Sequence, residues 1–414
     1  MSAQLKVVRA LALCLCAACA PVHAEPKSPA ITPPPVMTLA SSAPALPGPT
    51  IPAAVTATAA PTVELTSTAT AVPEITLVFT GDINQGDFAD NADTADPEIT
   101  LVFTGDINPA RCVYTIAKNA GDMALPYRAV GEVLQSADLA IGSLDASISD
   151  VNPPSPCAEF HRNLLAPSEV VQGMQWAGFD LMAAATNHIK DCGLGRGCVH
   201  DSLLDTIAHL RAAGIEPVGV GRNLAEATAP VIVEVRGVRF AFLAFTAING
   251  EVWATETAPG AAPFLPEVYV DAVRRARVQA DVVVVLPHWG REFTGQITWE
   301  QALGAQRLVE AGAMLVVGNN PHHVQGVETF PNGAVVAYAL GNFVFDQEWS
   351  DGTLYTIQGL MLRATFRGAQ LHSVELLPVR IHDNFQPRLA RPEEAAQILR
   401  DVEESLRSRP GRGK

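Results

Sequence analysis

Six short polar clusters recur along this chain in residue types that bind metal ions and move protons. They are Gly105-Asp106-Ile107-Asn108, Ser143-Leu144-Asp145, Thr186-Asn187-His188, Pro287-His288-Trp289-Gly290, Gly318-Asn319-Asn320-Pro321-His322-His323 and Leu340-Gly341-Asn342-Phe343. Carboxylate, amide oxygen and imidazole suit borderline divalent metals, and histidine also passes protons near neutrality. Together the clusters predict a metal-dependent hydrolase site, or the remains of one. Each has a plainer reading. Gly-Asp is common in any turn, Asn187 and His188 could be a cap and a surface residue, and a lone histidine beside an apolar strand is usually structural. Against this, Asp191-Cys192-Gly193 is turn-like rather than a capping box. His288 emerges in a turn with Trp289 and Gly290, and a polar turn at 318–323 does not explain two histidines.

Strands must position these residues. Each cluster follows an apolar run, at 99–103, 139–141, 181–185, 282–286, 314–317 and 335–340. Runs this short, bounded by turn residues and alternating with helical patterns, read as buried strands of an α/β fold. In such sheets ligands collect beyond the carboxyl ends of the strands, which is where all six clusters fall. Beyond residue 346, segments 356–366 and 371–381 alternate as strands. Residues 391–407 pattern as an amphipathic helix, acidic early and basic late. This part is expected to complete and cap a second sheet, without chemistry of its own.

The N-terminal part reads differently. Residues 1–24 have Lys6 and Arg9, an apolar stretch, and Val22-His23-Ala24 before Glu25, the pattern of a secretory signal. The alternative is acylation at Cys19, which would anchor the chain to a membrane; Cys16 stands where a lipobox carries Leu. Residues 25–72, rich in Pro, Ala, Thr and Ser, have too few large apolar side chains to offset ordering entropy and read as a tether. Residues 73–84 recur letter for letter at 97–108. The second copy runs on through Arg111 into a loop and helix, so Asp106 is assigned to the site, and 73–96 is read as a spare strand copy with an acidic spacer. Residues 97–400 form the domain, long enough for a substantial core, and 401–414 are a helix end and basic tail.

The net charge of −15 and pI near 5.1 disfavour nucleic acid as a partner. An anionic partner would need metal ions or local arginines at the site. Three of the seven cysteines lie in the leader, leaving Cys112, Cys157, Cys192 and Cys198. An even number in an exported chain predicts two disulfides, free buried thiols being the alternative; Cys192 with Cys198 would close a small loop after Asn187-His188, and Cys112 with Cys157 would clip the loop after Asp106. The protein is placed outside the cytoplasm, secreted or in the cell envelope.

From residue 99 to about 346 the chain also resembles a known family. The carrying residues are Gly105-Asp106 with Arg111, Asn187-His188 with Asp191 and Gly193, and His288-Trp289-Gly290-Arg291-Glu292-Phe293. Pro321-His322 with Val324-Gln325, and Tyr338-Ala339-Leu340-Gly341-Asn342-Phe343, complete the set. In this combination the sequence resembles the capsule-synthesis CapA family (poly-γ-glutamate capsule biosynthesis proteins), within the calcineurin-like metallophosphoesterase superfamily. The resemblance implies a four-layer αββα sandwich with two divalent metal ions, of the Mn, Fe or Zn class, at the strand ends. It implies Asp106, Asn187, His288 and His322 as ligands, with Asp145 and Asn319 at the remaining ligand positions, and His188 as general acid. Asp145 replaces the usual Glu and Ser143 the usual Asn, while Asn319 stands where an imidazole is usual and should weaken metal binding. The implied mechanism is hydrolysis by a metal-activated water, with His188 protonating the leaving group and Arg111 stabilising negative charge. The substrate would be a phosphoester or an anionic envelope polymer. The alternative is a non-catalytic polymer-binding or export component with a degenerate metal site, using Arg111 and Arg291.

Overall fold

The computed structural model describes residues 96–157, 162–347 and 356–411. The signal, tether and nearly all of the spare strand copy and spacer lie outside the described residues, as does the end of the tail. Strand alternation explains the architecture. In β1 (Glu98–Ile107), Ile99, Leu101 and Phe103 point to one face and Val102 to the other, and both faces are buried. A strand buried on both sides must lie between two layers. Beside it runs parallel β2 (Leu139–Leu144), then β5 (Leu181–Ala183) and β6 (Glu216–Val218). On the other side come antiparallel β16 (Gln358–Arg367), β17 (Gln370–His382) and β18 (Gln386–Leu389), with β15 (Asn342–Val344) pairing parallel to β1 at its carboxyl end.

The second sheet runs β13 (Val327–Thr329), β14 (Val335–Ala337), β12 (Leu315–Val317), β11 (Val282–His288), β9 (Val238–Thr246) and β8 (Val231–Val235). Phe240, Phe242, Val282, Val284, Leu315 and Val317 meet the first sheet's inner residues in one core between the sheets. Outside the first sheet, α1 (Arg111–Ala120), α2 (Gly131–Gln135) and α3 (Val171–Ala177) cover Val102, Ala140 and Met182. Outside the second, α6 (Pro266–Gln279) and α7 (Trp299–Ala311) cover Ala241, Leu243, Val283 and Val285. Three cores between four layers make the αββα sandwich. Two small ladders, β3 (Ser147–Ile148) with β4 (Leu165–Ala166) and β7 (Val220–Gly221) with β10 (Gly260–Ala261), and helices α4 (Val199–Ala212) and α5 (Leu224–Ala227) fill the connections.

Segment 356–381 corrects one expectation. Its strands extend the first sheet from β1 instead of completing the second. Leu360, Leu362, Ala364 and Phe366 face the same inter-sheet core as β1's inner residues and cover what would be a long apolar edge. Helix α8 (Pro392–Arg407) then inserts Ile398, Leu399 and Val402 into that core and packs on both β17 and β13, closing one flank of the sandwich. Cys112 is bonded to Cys157 and Cys192 to Cys198, which fits an oxidising compartment. Among the described residues no helix is long and apolar enough to cross a membrane.

Candidate metal centre

The centre lies where the two sheets' carboxyl ends meet. The first sheet brings Asp106 from the end of β1, Asp145 just after β2, and Asn187 and His188 after β5; the second brings His288 from the end of β11 and Asn319 and His322 after β12. Gly105 makes the close approach possible. Asp106 N–H donates to the Gly341 carbonyl at 2.9 Å, and a Cβ on Gly105 would stand 2.0 Å from that oxygen. Only a residue without a side chain lets β1 reach the turn before β15.

Both carboxylates are buried, Asp106 at 0% and Asp145 at 1% exposure. Asp106 accepts the Ser143 hydroxyl at 3.0 Å and the Asn320 backbone N–H at 3.1 Å. Burial and the neighbouring Asp145 charge push its carboxyl well above the usual range, more than those hydrogen bonds pull it down. Burial also acts upward on Asp145, but His188, His288 and His322 outweigh it and hold its pKa below the ordinary value. Neither Asp145 oxygen has a hydrogen-bond partner within ordinary geometry.

His288 is the link between the sheets. Its Nε2–H donates to Asn187 Oδ1 at 2.8 Å, which leaves Nδ1 as the unprotonated nitrogen. That Nδ1 is buried without a partner and faces Asp106 Oδ1 at 3.9 Å; Nε2 stands 3.7 Å from Asp145 Oδ1. Burial pushes the His288 pKa down to about 4, against the pull of Asp145, so the ring is neutral near pH 7. An imidazole lone pair and a carboxylate face each other beyond hydrogen-bond distance, and the imidazole nitrogen is left unsatisfied. A cation is what satisfies such a pair.

His322 lies 3.7 Å from Asp106 Oδ2 and donates Nδ1–H to Asn342 Oδ1 at 2.9 Å. Its φ of 55° is left-handed, and its ring stacks on Phe293. His188 sits at the rim with its side chain 19% exposed, its Nδ1 2.6 Å from Asp191 Oδ2. Burial lowers its pKa, but Asp145, the Asp191 hydrogen bond and Glu292 raise it to about 9. It therefore carries a proton at neutral pH and keeps Nε2–H to give.

Two predicted residues are placed otherwise. Asn319 spends both ends of its amide on backbone: Nδ2 donates to the Thr104 carbonyl and Oδ1 accepts Leu340 N–H, each at 3.3 Å. Through these bonds it braces the sheets together. Arg111, with a left-handed φ of 51°, forms a buried ion pair with Asp346 through Nε and a second guanidinium nitrogen, beside Phe345. Asp346 also accepts Asn108 Nδ2 at 3.1 Å and Cys112 N–H at 3.0 Å. Asp346, Asn342 and Asn320 complete the arrangement; both asparagines stand in the polar clusters of the sequence, and Asp346 lies outside them. The one signal for Asp346 is an acid directly after the apolar Val344-Phe345. Among the described residues no group of three or more His, Cys, Asp or Glu side chains is gathered tightly enough to hold an ion unaided; the close approaches are pairwise, Asp106 with His288 and His322, Asp145 with His288.

Residues 100–347 match the family described as bacterial capsule synthesis protein PGA_cap, more than half of the chain. The chain belongs to that family. The PGA biosynthesis protein CapA of Bacillus subtilis is 28% identical over 260 residues, 62% of this chain and 65% of the relative. The capsule biosynthesis protein CapA of Bacillus anthracis is 35% identical over 198 residues, 47% of this chain and 46% of the relative. The PGA_cap chain thus spans less than two thirds of the length of either curated relative. Among solved structures, the NAD nucleotidase NadN of Haemophilus influenzae aligns over 75% of this chain and 56% of its own, with a TM-score of 0.39 and 10% identity.

Proposed function

We propose that this PGA_cap protein is an extracytoplasmic, metal-dependent hydrolase acting in the synthesis of an anionic poly-glutamate-type capsule polymer, on a phosphoester or on the polymer itself. The observation that carries the reading is the set of orphaned donors: His288 Nδ1 facing the Asp106 carboxylate, and Asp145 with both oxygens unpartnered. Asp106, Asp145, His288 and His322 would hold the cations, with Asn187 orienting His288 and Asn319 bracing the turn. Bound divalent ions of the Mn, Fe or Zn class would supply Lewis acidity and a nucleophilic water at neutral pH. Protonated His188, kept so by Asp145 and Asp191, is positioned to donate Nε2–H to a leaving group. Arg111 acts through Asp346, fixing the turn after β1 rather than reaching a substrate. Export through a signal at 1–24, with or without acylation at Cys19, completes the proposal.

One observation favours the non-catalytic polymer-binding alternative. The Asn319 amide is committed to internal backbone partners, which leaves one group fewer to hold a metal. Elemental analysis of the purified full chain separates the two. The hydrolase reading expects Mn, Fe or Zn at up to two equivalents, lost in Asp145→Asn and His288→Ala together with phosphodiester or polymer cleavage. A protein that takes up none of these metals and cleaves neither substrate after their addition would sink it.

A further inference from the structure

The two flanks of the sandwich are finished differently. Helix α8 spans one, while on the other β8 is the last strand of the second sheet. Among the described residues it pairs with β9 alone, and no other backbone hydrogen bond reaches it. Val231, Val233 and Val235 only half cover the inter-sheet core, and Ile232 is 41% exposed. A cleft beside it, lined by Arg211, Val220, Glu226 and Ala229, separates β8 from α4 and β6. Folds normally blunt such edges with proline, charge or a covering element. The other three outer strands obey that rule: β6 contains Pro217, β18 contains Pro387, and α8 packs on β13. Strand β8 has only Glu234.

The chain carries a matching sequence. Residues 73–84 repeat 97–108 letter for letter, so Ile75, Leu77 and Phe79 correspond to Ile99, Leu101 and Phe103, which face the inter-sheet core in β1. The β1 position itself is taken, and it is locked just beyond its carboxyl end by the Arg111–Asp346 ion pair and the Cys112–Cys157 disulfide. The first copy is followed by Asp87 and Phe88 at the places of Arg111 and Cys112. Where the chain enters the domain also matters. Arg236, in the β8–β9 hairpin, donates to the Glu98 carbonyl and pairs with Asp138, so the start of β1 adjoins the carboxyl end of β8. Residues 85–95 span up to about 35 Å when extended, against about 17 Å for a strand the length of β8. The first copy therefore reaches β8 in either direction.

We propose that residues 75–80 add to the free edge of β8 in the same molecule, as a further strand of the second sheet. Ile75, Leu77 and Phe79 then close the core over Val231, Val233 and Val235, and the duplication supplies this flank with what α8 supplies to the other. Hydrogen exchange read by mass spectrometry on the full chain tests it, against a deletion of 73–84 and against Leu77→Asp. The expected result is exchange at 231–235 at least roughly tenfold faster in both variants, independent of protein concentration, with β11 unchanged as the internal control. Equal exchange at 231–235 in all three proteins overturns the proposal, and so does lost protection at another edge instead. Protection at β8 that disappears on dilution overturns it too, because the added strand then comes from a second copy of the chain.

Discussion

At the scale of single residues, the centre is governed by hydrogen bonds that choose which atoms remain available. Asn187 takes the Nε2 proton of His288, and Asn342 takes the Nδ1 proton of His322; each amide leaves the opposite ring nitrogen as the electron donor. Asp106 bears the energetic cost, since its ionised form is buried beside a second carboxylate. Replacing it with Asn removes that charge, and an amide can still bond both the Ser143 hydroxyl and the Asn320 N–H. In metal-free protein Asp106→Asn should therefore raise the unfolding free energy, by about 1–2 kcal/mol, while metal content falls. Urea denaturation of chelator-treated parent and variant checks the sign. A variant less stable than the parent would show that the carboxylate serves the fold rather than a cation.

At the scale of elements, the loops that carry the site are tied down covalently. Cys112–Cys157 closes a separation of 45 residues and Cys192–Cys198 one of 6. On loop-closure entropy the larger ring is worth about 4 kcal/mol and the smaller about 2 kcal/mol. Paired Cys→Ser variants should lose stability in that order in thermal or chemical unfolding. The smaller ring follows Asp191 directly, so its loss should also loosen the His188–Asp191 contact, visible as a lower His188 pKa by NMR. Unchanged titration of His188 would separate the ring from the dyad. The turn 318–323 is held differently. Gln301 Nε2 donates to Gln325 Oε1 at 2.8 Å, and Gln325 Nε2 donates to the carbonyls of Thr294 and Gln296 at 3.2 and 2.9 Å. These buried amides explain Gln325 in the sequence motif: it fixes the loop that stacks Phe293 on His322.

At the scale of the whole molecule, α8 straps the two sheets together and is held at both ends by ion pairs. At its start Glu394 pairs with Arg388 of β18, and the Arg388 hydrogen bond holds its carboxyl down at about 2 against burial. A depressed carboxylate stabilises the fold fully above its ordinary value near 4.5, and that contribution is lost as pH falls toward 2. Glu394→Gln should cost about 1–2 kcal/mol at pH 7 after allowance for solvent screening, with the difference from the parent shrinking steadily between pH 4.5 and 2. A cost that does not depend on pH would refute the linkage. At the far end Arg409 pairs with Glu328 at 2.7 Å and with the Tyr338 hydroxyl at 2.9 Å. Tyr338 in turn accepts the Trp289 indole N–H on its carbonyl at 2.8 Å. Arg409→Ala leaves a mostly buried carboxylate with the Tyr338 hydroxyl but without its ion partner, and should cost about 3 kcal/mol. Because Trp289 adjoins His288, metal affinity should drop in the same variant, which titration calorimetry would read.

Much of this was written in local patterns. Short apolar runs ending in Asp, Asn and His announce α/β strands whose carboxyl ends carry those polar residues, because strand period and turn chemistry depend only on neighbours in the chain. The cysteine count pointed to the two disulfides, and the residues after Asp106 pointed to 97–108, the copy that forms β1. Which sheet receives 356–381, and which partner occupies the Asn319 amide and the Arg111 guanidinium, depended on atoms more than 20 residues away. Contacts of that kind arise only once two sheets face each other and their loops compete for the same buried hydrogen bonds, a competition that no single stretch of sequence records.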